Sequence, residues 1–153
     1  MASNHAGTLL ASACKAAQAE HANILIWDTK TWSKTASLQN GHSLTVVQMA
    51  FSPNDKYLLT VSRDRTLCVW DMSDYSLYFK TDKKTSIHAR IIWACDWTTD
   101  SNYFVTVGRD KKCVLWNLEK SMSQEPLMLP NAATAVAILP TSDKENLSVI
   151  IGK

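Results

Sequence analysis

Apolar and polar positions along this chain come in short alternating bursts rather than in long helical stripes. Between Thr45 and Thr81 the β-branched, aromatic and aliphatic residues fall into four runs: Thr45 to Phe51, Tyr57 to Ser62, Thr66 to Trp70 and Ser76 to Thr81. Ser52-Pro53-Asn54-Asp55 and Ser62-Arg63-Asp64-Arg65 interrupt them with residues that favour turns. Runs of this length and composition, bounded by such clusters, predict β-strands joined by tight connections.

The same pattern recurs. His42 to Asp71 aligns with His88 to Asn117 at an offset of 46 residues, without a gap. His42 meets His88, Tyr57 meets Tyr103, Thr60-Val61 meets Thr106-Val107, Arg63-Asp64 meets Arg109-Asp110, and Trp70 meets Trp116. Upstream, Ile24 to Asp28 matches Leu67 to Asp71. Downstream, Thr134 to Leu139 reads like Val46 to Phe51, and Leu147 to Ile151 like Tyr57 to Val61. A period of ~40–45 residues, with Gly-His early and Trp-Asp late, is the signature of a WD-repeat β-propeller, in which each repeat builds a four-stranded blade.

The expected fold is therefore all-β, a partial propeller of about three and a half blades. Residues 1–40 are read as a partial blade holding strands two to four, with an insertion over 14–22. Residues 41–83 and 84–130 are read as complete blades, and 131–153 as the start of a further one. The insertion is rich in Ala, Lys, Gln and Glu, so it is expected to be a solvated loop with one helical turn. Such an open arrangement leaves blade faces and a strand edge uncovered. The chain is expected to be a piece of a longer one, or a product that needs a partner to complete it, and the isolated piece to aggregate or to unfold with low cooperativity.

His42, Thr60, Asp64 and Trp70 have the residue types of a catalytic relay. The same four types recur at His88, Thr106, Asp110 and Trp116, and catalysis needs one constellation where a blade needs one per repeat. They are read as structural tetrads: carboxylate accepting from imidazole, imidazole from hydroxyl, hydroxyl from indole. No Gly-rich phosphate loop, HExxH or GxSxG is present. No catalytic residue, cofactor or metal is expected.

In a blade of alternating strands, loops after strands two and four share one face. That face collects Lys15, Arg63, Arg65, Lys83, Lys84, Arg90, Arg109, Lys111 and Lys112, against Glu20, Asp64, Asp82 and Asp110. The opposite face carries Asp28, Asp55, Asp71, Asp74, Asp100, Glu119, Asp143 and Glu145, against Lys30, Lys56, Lys120 and Lys144. The net charge of +2 thus hides a two-faced distribution. Arg63, Arg65, Arg109 and Lys111 are the expected partner contacts, with phosphate or an acidic protein surface as the partner.

Composition narrows the class further. With 46% hydrophobic and 20% charged residues, the chain has the make-up of a globular protein rather than a disordered one. No apolar run approaches the ~20 residues that span a bilayer, so no membrane partner is expected. Cys14, Cys68, Cys95 and Cys113 show no CxxC spacing and are read as packing residues.

The stretches HSLTVVQMAFSPNDKYLLTVSRDRT and ARIIWACDWTTDSNYFVTVGRDKKCVLW, with LLASACKAAQAEHANILIW and NAATAVAILP, resemble the Elongator subunit 2 family of WD-repeat proteins, in part of its second propeller. The resemblance implies a non-catalytic scaffold in a complex that modifies wobble uridines of tRNA. Its implied partners are other Elongator subunits, above all the catalytic one, with tRNA reached indirectly and signalling proteins of the JAK–STAT type as a further association. The implied location is cytoplasmic and nuclear. The alternatives are a generic WD-repeat adaptor in signalling and an RNA-contacting propeller using the basic face.

Overall fold

The computed structural model describes residues 1–15, 22–82, 84, 86–140 and 147–153. Most of the insertion read over 14–22 lies outside the described residues, as do Lys83 and the loop acids Glu20, Asp143 and Glu145. Among the described residues every regular element is a strand. The first sheet runs β1 (Ala2–Ser3), β2 (Leu9–Ala13), β3 (Ile24–Asp28), β4 (Lys34–Leu38) in sequence order. The second runs β5 (Val46–Phe51), β6 (Tyr57–Ser62), β7 (Leu67–Asp71), β8 (Leu77–Lys80). The third holds β9 (Ile92–Trp97), β10 (Tyr103–Gly108) and β11 (Lys112–Asn117), with β12 (Met122–Ser123) and β13 (Leu127–Met128) both on the outer side of β11. The last is a hairpin of β14 (Ala135–Ile138) and β15 (Val149–Gly152). All pairings are antiparallel. These sheets are four propeller blades, A to D in chain order, and they form an open arc.

Three details differ from the sequence expectation. Blade A has a fourth strand where only strands two to four were expected. Ala2 and Ser3 pair with Ala11 and Leu10, and a two-residue strand is too short to leave an alternating pattern. The outer strand of blade C is split: β12 and β13 pair with opposite ends of β11, and Gln124-Glu125-Pro126 lies between them. Pro126 has no N–H to give to a ladder, which is why the pattern there is weak. In blade D the register is one residue off the sequence alignment. Ile138 pairs with Val149 as Phe51 pairs with Leu58, so Ile138 takes the Phe51 place and Val149 the Leu58 place. Burial decides this. A one-residue slip turns every side chain to the other face, and the observed register points Val136, Ile138, Val149 and Ile151 at blade C.

Each blade packs on the next through faces made by alternate residues. Ile24, Ile26 and Leu38 of blade A meet Met49, Phe51, Leu58 and Trp70 of blade B. Leu59, Val61, Leu67 and Val69 on the other face of B meet Trp97, Phe104 and Trp116 of C. Ala94, Val105 and Val107 continue the pattern from C to D. Strands of B and C bury both faces, which explains their near-continuous apolar runs. Polar links join the innermost strands. The Cys95 amide donates to Gln48 Oε1 at 3.1 Å, the Trp97 indole to the Ala50 carbonyl at 3.0 Å, and the Ile138 amide to Asp96 Oδ2 at 2.7 Å. On the acidic side Asp55 of blade B accepts the His5 and Ala6 amides of blade A, each at 2.8 Å.

Phe104 is fully buried, with its ring 6.0 Å from Trp116 and 5.1 Å from Trp97. Phe104→Ala is expected to lower unfolding stability by about 3–5 kcal/mol. Leu77→Ala, at a half-exposed rim position, is expected to cost about 0.5 kcal/mol or less. Denaturant midpoints of the two variants check the difference.

Candidate functional site

The predicted tetrad residues converge in blades B and C. Thr60 and Thr106 sit mid-strand on β6 and β10, each facing the preceding blade. Trp70 on β7 donates its indole N–H to Thr60 Oγ1 at 3.1 Å, and Trp116 on β11 donates to Thr106 Oγ1 at 2.9 Å. Nε2 of His42 and of His88 lies 2.8 Å from the same hydroxyl in its blade. Asp64 Oδ2 is 3.4 Å from His42 Nδ1, and Asp110 Oδ1 is 3.1 Å from His88 Nδ1. The order that gives every donor an acceptor runs indole to hydroxyl, hydroxyl to Nε2, and Nδ1–H to carboxylate.

Sequence reading missed several members of these networks. Thr66 adds its hydroxyl to Asp64 Oδ1 at 2.6 Å and its amide at 2.9 Å, and the Ser43 amide reaches Asp64 Oδ2 at 2.7 Å. In blade C the Ala89 amide bonds Asp110 Oδ2 at 2.8 Å, and the Lys112 amide bonds Oδ1 at 3.3 Å. Backbone donors leave no trace in residue type. Thr66 has no counterpart in blade C, where Lys112 follows the turn, so the repeat comparison passes over it. Gly41 is required for a different reason. A Cβ there would overlap the Trp70 ring.

Burial pushes both carboxyls upward, but the bonds from imidazole, hydroxyl and amides outweigh it. Asp64 is held far below the usual carboxylate range, chiefly by His42 and Thr66, and Asp110 is also lowered, chiefly by His88. Each carboxylate is spent on internal donors. Thr60 and Thr106 are wholly inaccessible to solvent, so no substrate reaches either hydroxyl. Burial also pushes the Cys68 and Cys95 thiols far up, which removes them as nucleophiles. Among the described residues no cluster of His, Cys, Asp or Glu is arranged to hold a metal ion.

Blade A repeats the indole-to-hydroxyl bond. Trp27 donates its indole N–H to Ser12 Oγ at 2.8 Å, in the Trp-to-Thr position.

The four predicted contact residues are exposed, and the tetrads are the reason. Each of these turns reads cation, acid, cation: Arg63-Asp64-Arg65 and Arg109-Asp110-Lys111. The acid is drawn inward by its donors, and both flanking cations face solvent. Arg63 and Arg109 anchor the turns by amide bonds to Thr45 and Ile91 carbonyls, at 3.1 and 2.8 Å. Arg65 and Lys111 occupy the left-handed region, with φ of 72° and 63°. Each turn thus places its two cations in solvent and its carboxylate inside.

Thr60→Val is expected to leave the Trp70 indole and His42 unpartnered and to cost about 1–3 kcal/mol for each orphaned group. Chemical unfolding of the folded variant measures this. A carboxyl held low in the folded state gives stability that is present above its unfolded pKa and lost as pH falls below it. Stability is therefore expected to drop below about pH 4. Asp64→Asn should be less stable at neutral pH and show a shallower acid limb in a pH series of thermal melts.

The comparisons agree with this architecture. The model of the WD domain, G-beta repeat, matches residues 32–71 and 80–117, about half of the chain. Elongator complex protein 2 of Rattus norvegicus is 55% identical over 107 residues, and that of Homo sapiens 54%; each alignment covers 64% of this chain and 13% of the relative. The Drosophila melanogaster protein of that name is 46% identical over 98 residues, covering 61% and 12%. The chain thus matches only about an eighth of the length of these curated relatives. Solved structures titled "Structure of U3-55K" and "Crystal structure of RRP9 WD40 repeats" superpose with a TM-score of 0.77 at 18% identity. They cover 88% of this chain and 40% and 39% of theirs, and show the fold alone. On the repeat model, the blade geometry and the tetrads together, the chain belongs to the WD-domain, G-beta repeat family.

Proposed function

We propose that these blades belong to a scaffold of the Elongator subunit 2 type, which supports tRNA wobble-uridine modification through protein–protein contacts and performs no chemistry itself. The observation that carries the reading is the high identity to proteins named Elongator complex protein 2 in several species, over blades whose Thr60 and Thr106 hydroxyls are buried. On this reading the partners are the other Elongator subunits, above all the catalytic one, and the protein works in cytoplasm and nucleus. Rigid blades with long-range packing suit a scaffold, because a docking surface is held in shape before the partner arrives.

The test is affinity capture of the endogenous protein followed by mass identification. The reading expects the remaining Elongator subunits in constant ratio, in both cytoplasmic and nuclear fractions. Their absence from the captured material would sink it. Thr60→Val, by loosening blade B, is expected to lower the recovered partners without altering any contact residue.

A further inference from the structure

The two basic turns belong to a larger feature that strand register reveals. Leu10 pairs with Trp27, Leu58 with Trp70 and Phe104 with Trp116, so these three positions are equivalent in blades A, B and C. Five residues after each comes a cation: Lys15, Arg63 and Arg109. All three are exposed and leave the same end of the second strand. Arg65 and Lys111 form a second equivalent pair on left-handed turn positions. Arg90, also exposed, joins them from the link into β9. Successive blades thus repeat positive charge along one arc of the propeller.

Among the described residues the acids of this face are hydrogen-bonded within the chain. Asp64 and Asp110 are engaged by their tetrads, and Asp82 Oδ1 accepts the Lys84 amide at 2.6 Å. Apolar anchors are scarce as well. Of the large apolar side chains exposed among the described residues, Met1 and Leu44 lie on this face, ahead of β1 and β5, while Trp32, Leu139 and Leu147 are on the opposite turns, Leu77, Tyr78, Met122, Leu127 and Met128 are on the rim, and Ile150 is on β15. Protein interfaces concentrate their affinity in buried aromatic and aliphatic anchors. A curved row of guanidinium and ammonium groups with few such anchors suits a backbone of phosphates, which is recognised by charge rather than by sequence.

We propose that this face is a sequence-independent contact surface for the phosphate backbone of RNA, with Lys15, Arg63, Arg65, Arg109 and Lys111 as its phosphate contacts. The choice of RNA rests on the scaffold reading above, but its test does not. The intact purified protein is titrated with a labelled unmodified RNA hairpin at several salt concentrations, beside the variant Arg63→Gln/Arg109→Gln/Lys111→Gln. Circular dichroism and thermal melting show that the variant stays folded. The expected result is affinity that falls linearly with the logarithm of salt. The variant should lower that slope by roughly 2–3 and weaken binding about tenfold or more at ~0.1 M salt. Unchanged affinity and slope would overturn the proposal. So would binding of labelled poly-glutamate through the same residues with no binding of the hairpin, which would assign the face to acidic polypeptides. Capture of the Elongator subunits by the same variant reads the scaffold role separately. Loss of RNA binding with the subunits retained supports the phosphate surface, and loss of the subunits with RNA binding intact overturns it.

Discussion

Two buried carboxylates organise this molecule. Asp64 and Asp110 sit at the tips of equivalent turns, where an acid would ordinarily point into water. Both are turned inward, because an imidazole and several amides offer more bonds inside than solvent does outside. The cost of burying a charge is offset only when those donors are all in place. Each network therefore fixes the turn, the strand behind it and the loop from the previous blade together. His42 and Ser43 belong to the link out of β4, Thr60 to β6 and Trp70 to β7, so a single set of bonds ties three segments of chain.

Blade packing builds on that frame. A sheet with two apolar faces needs a neighbour on each, and blades B and C have one on both sides. Blade A shares only one face within this structure. There Leu10, Leu25 and Trp27 are half-buried, whereas their equivalents Leu58, Cys68 and Trp70 are fully buried. The same inward pull that secures the turns withdraws their carboxylates from the surface and leaves the flanking cations there, so the surface of one face follows from the interior bonding of the blades beneath it.

Much of this was legible in the sequence, for identifiable reasons. Repetition exposed the fold, because His42, Thr60, Asp64 and Trp70 return as a set 46 residues later. It also assigned these residues to the blades, where the structure joins them by hydrogen bonds. What escaped was whatever repetition does not record. Ala2 and Ser3 are too few to show a period. Blade D has neither the His nor the Trp that anchored the other alignments, so its register slipped by one until burial decided it. Thr66 and the backbone donors act in one blade or carry no signature. The split of the outer strand at Pro126 appeared only as a weakened pattern. The equivalence of Lys15 with Arg63 and Arg109 needed paired strands, because the insertion after Lys15 breaks the period between blades A and B.

The central claim, that buried carboxylates hold the turns of this face, is tested most directly by native-state hydrogen exchange at the amides of Ser43, Thr66 and Ala89. These lie in connections, outside the sheet ladders, and bond the carboxylates at 2.7, 2.9 and 2.8 Å. The account predicts protection close to that of the β6 and β10 strand amides, because opening the turn means opening the blade. Exchange at the rate of ordinary exposed loops, with β6 and β10 still protected, would contradict it.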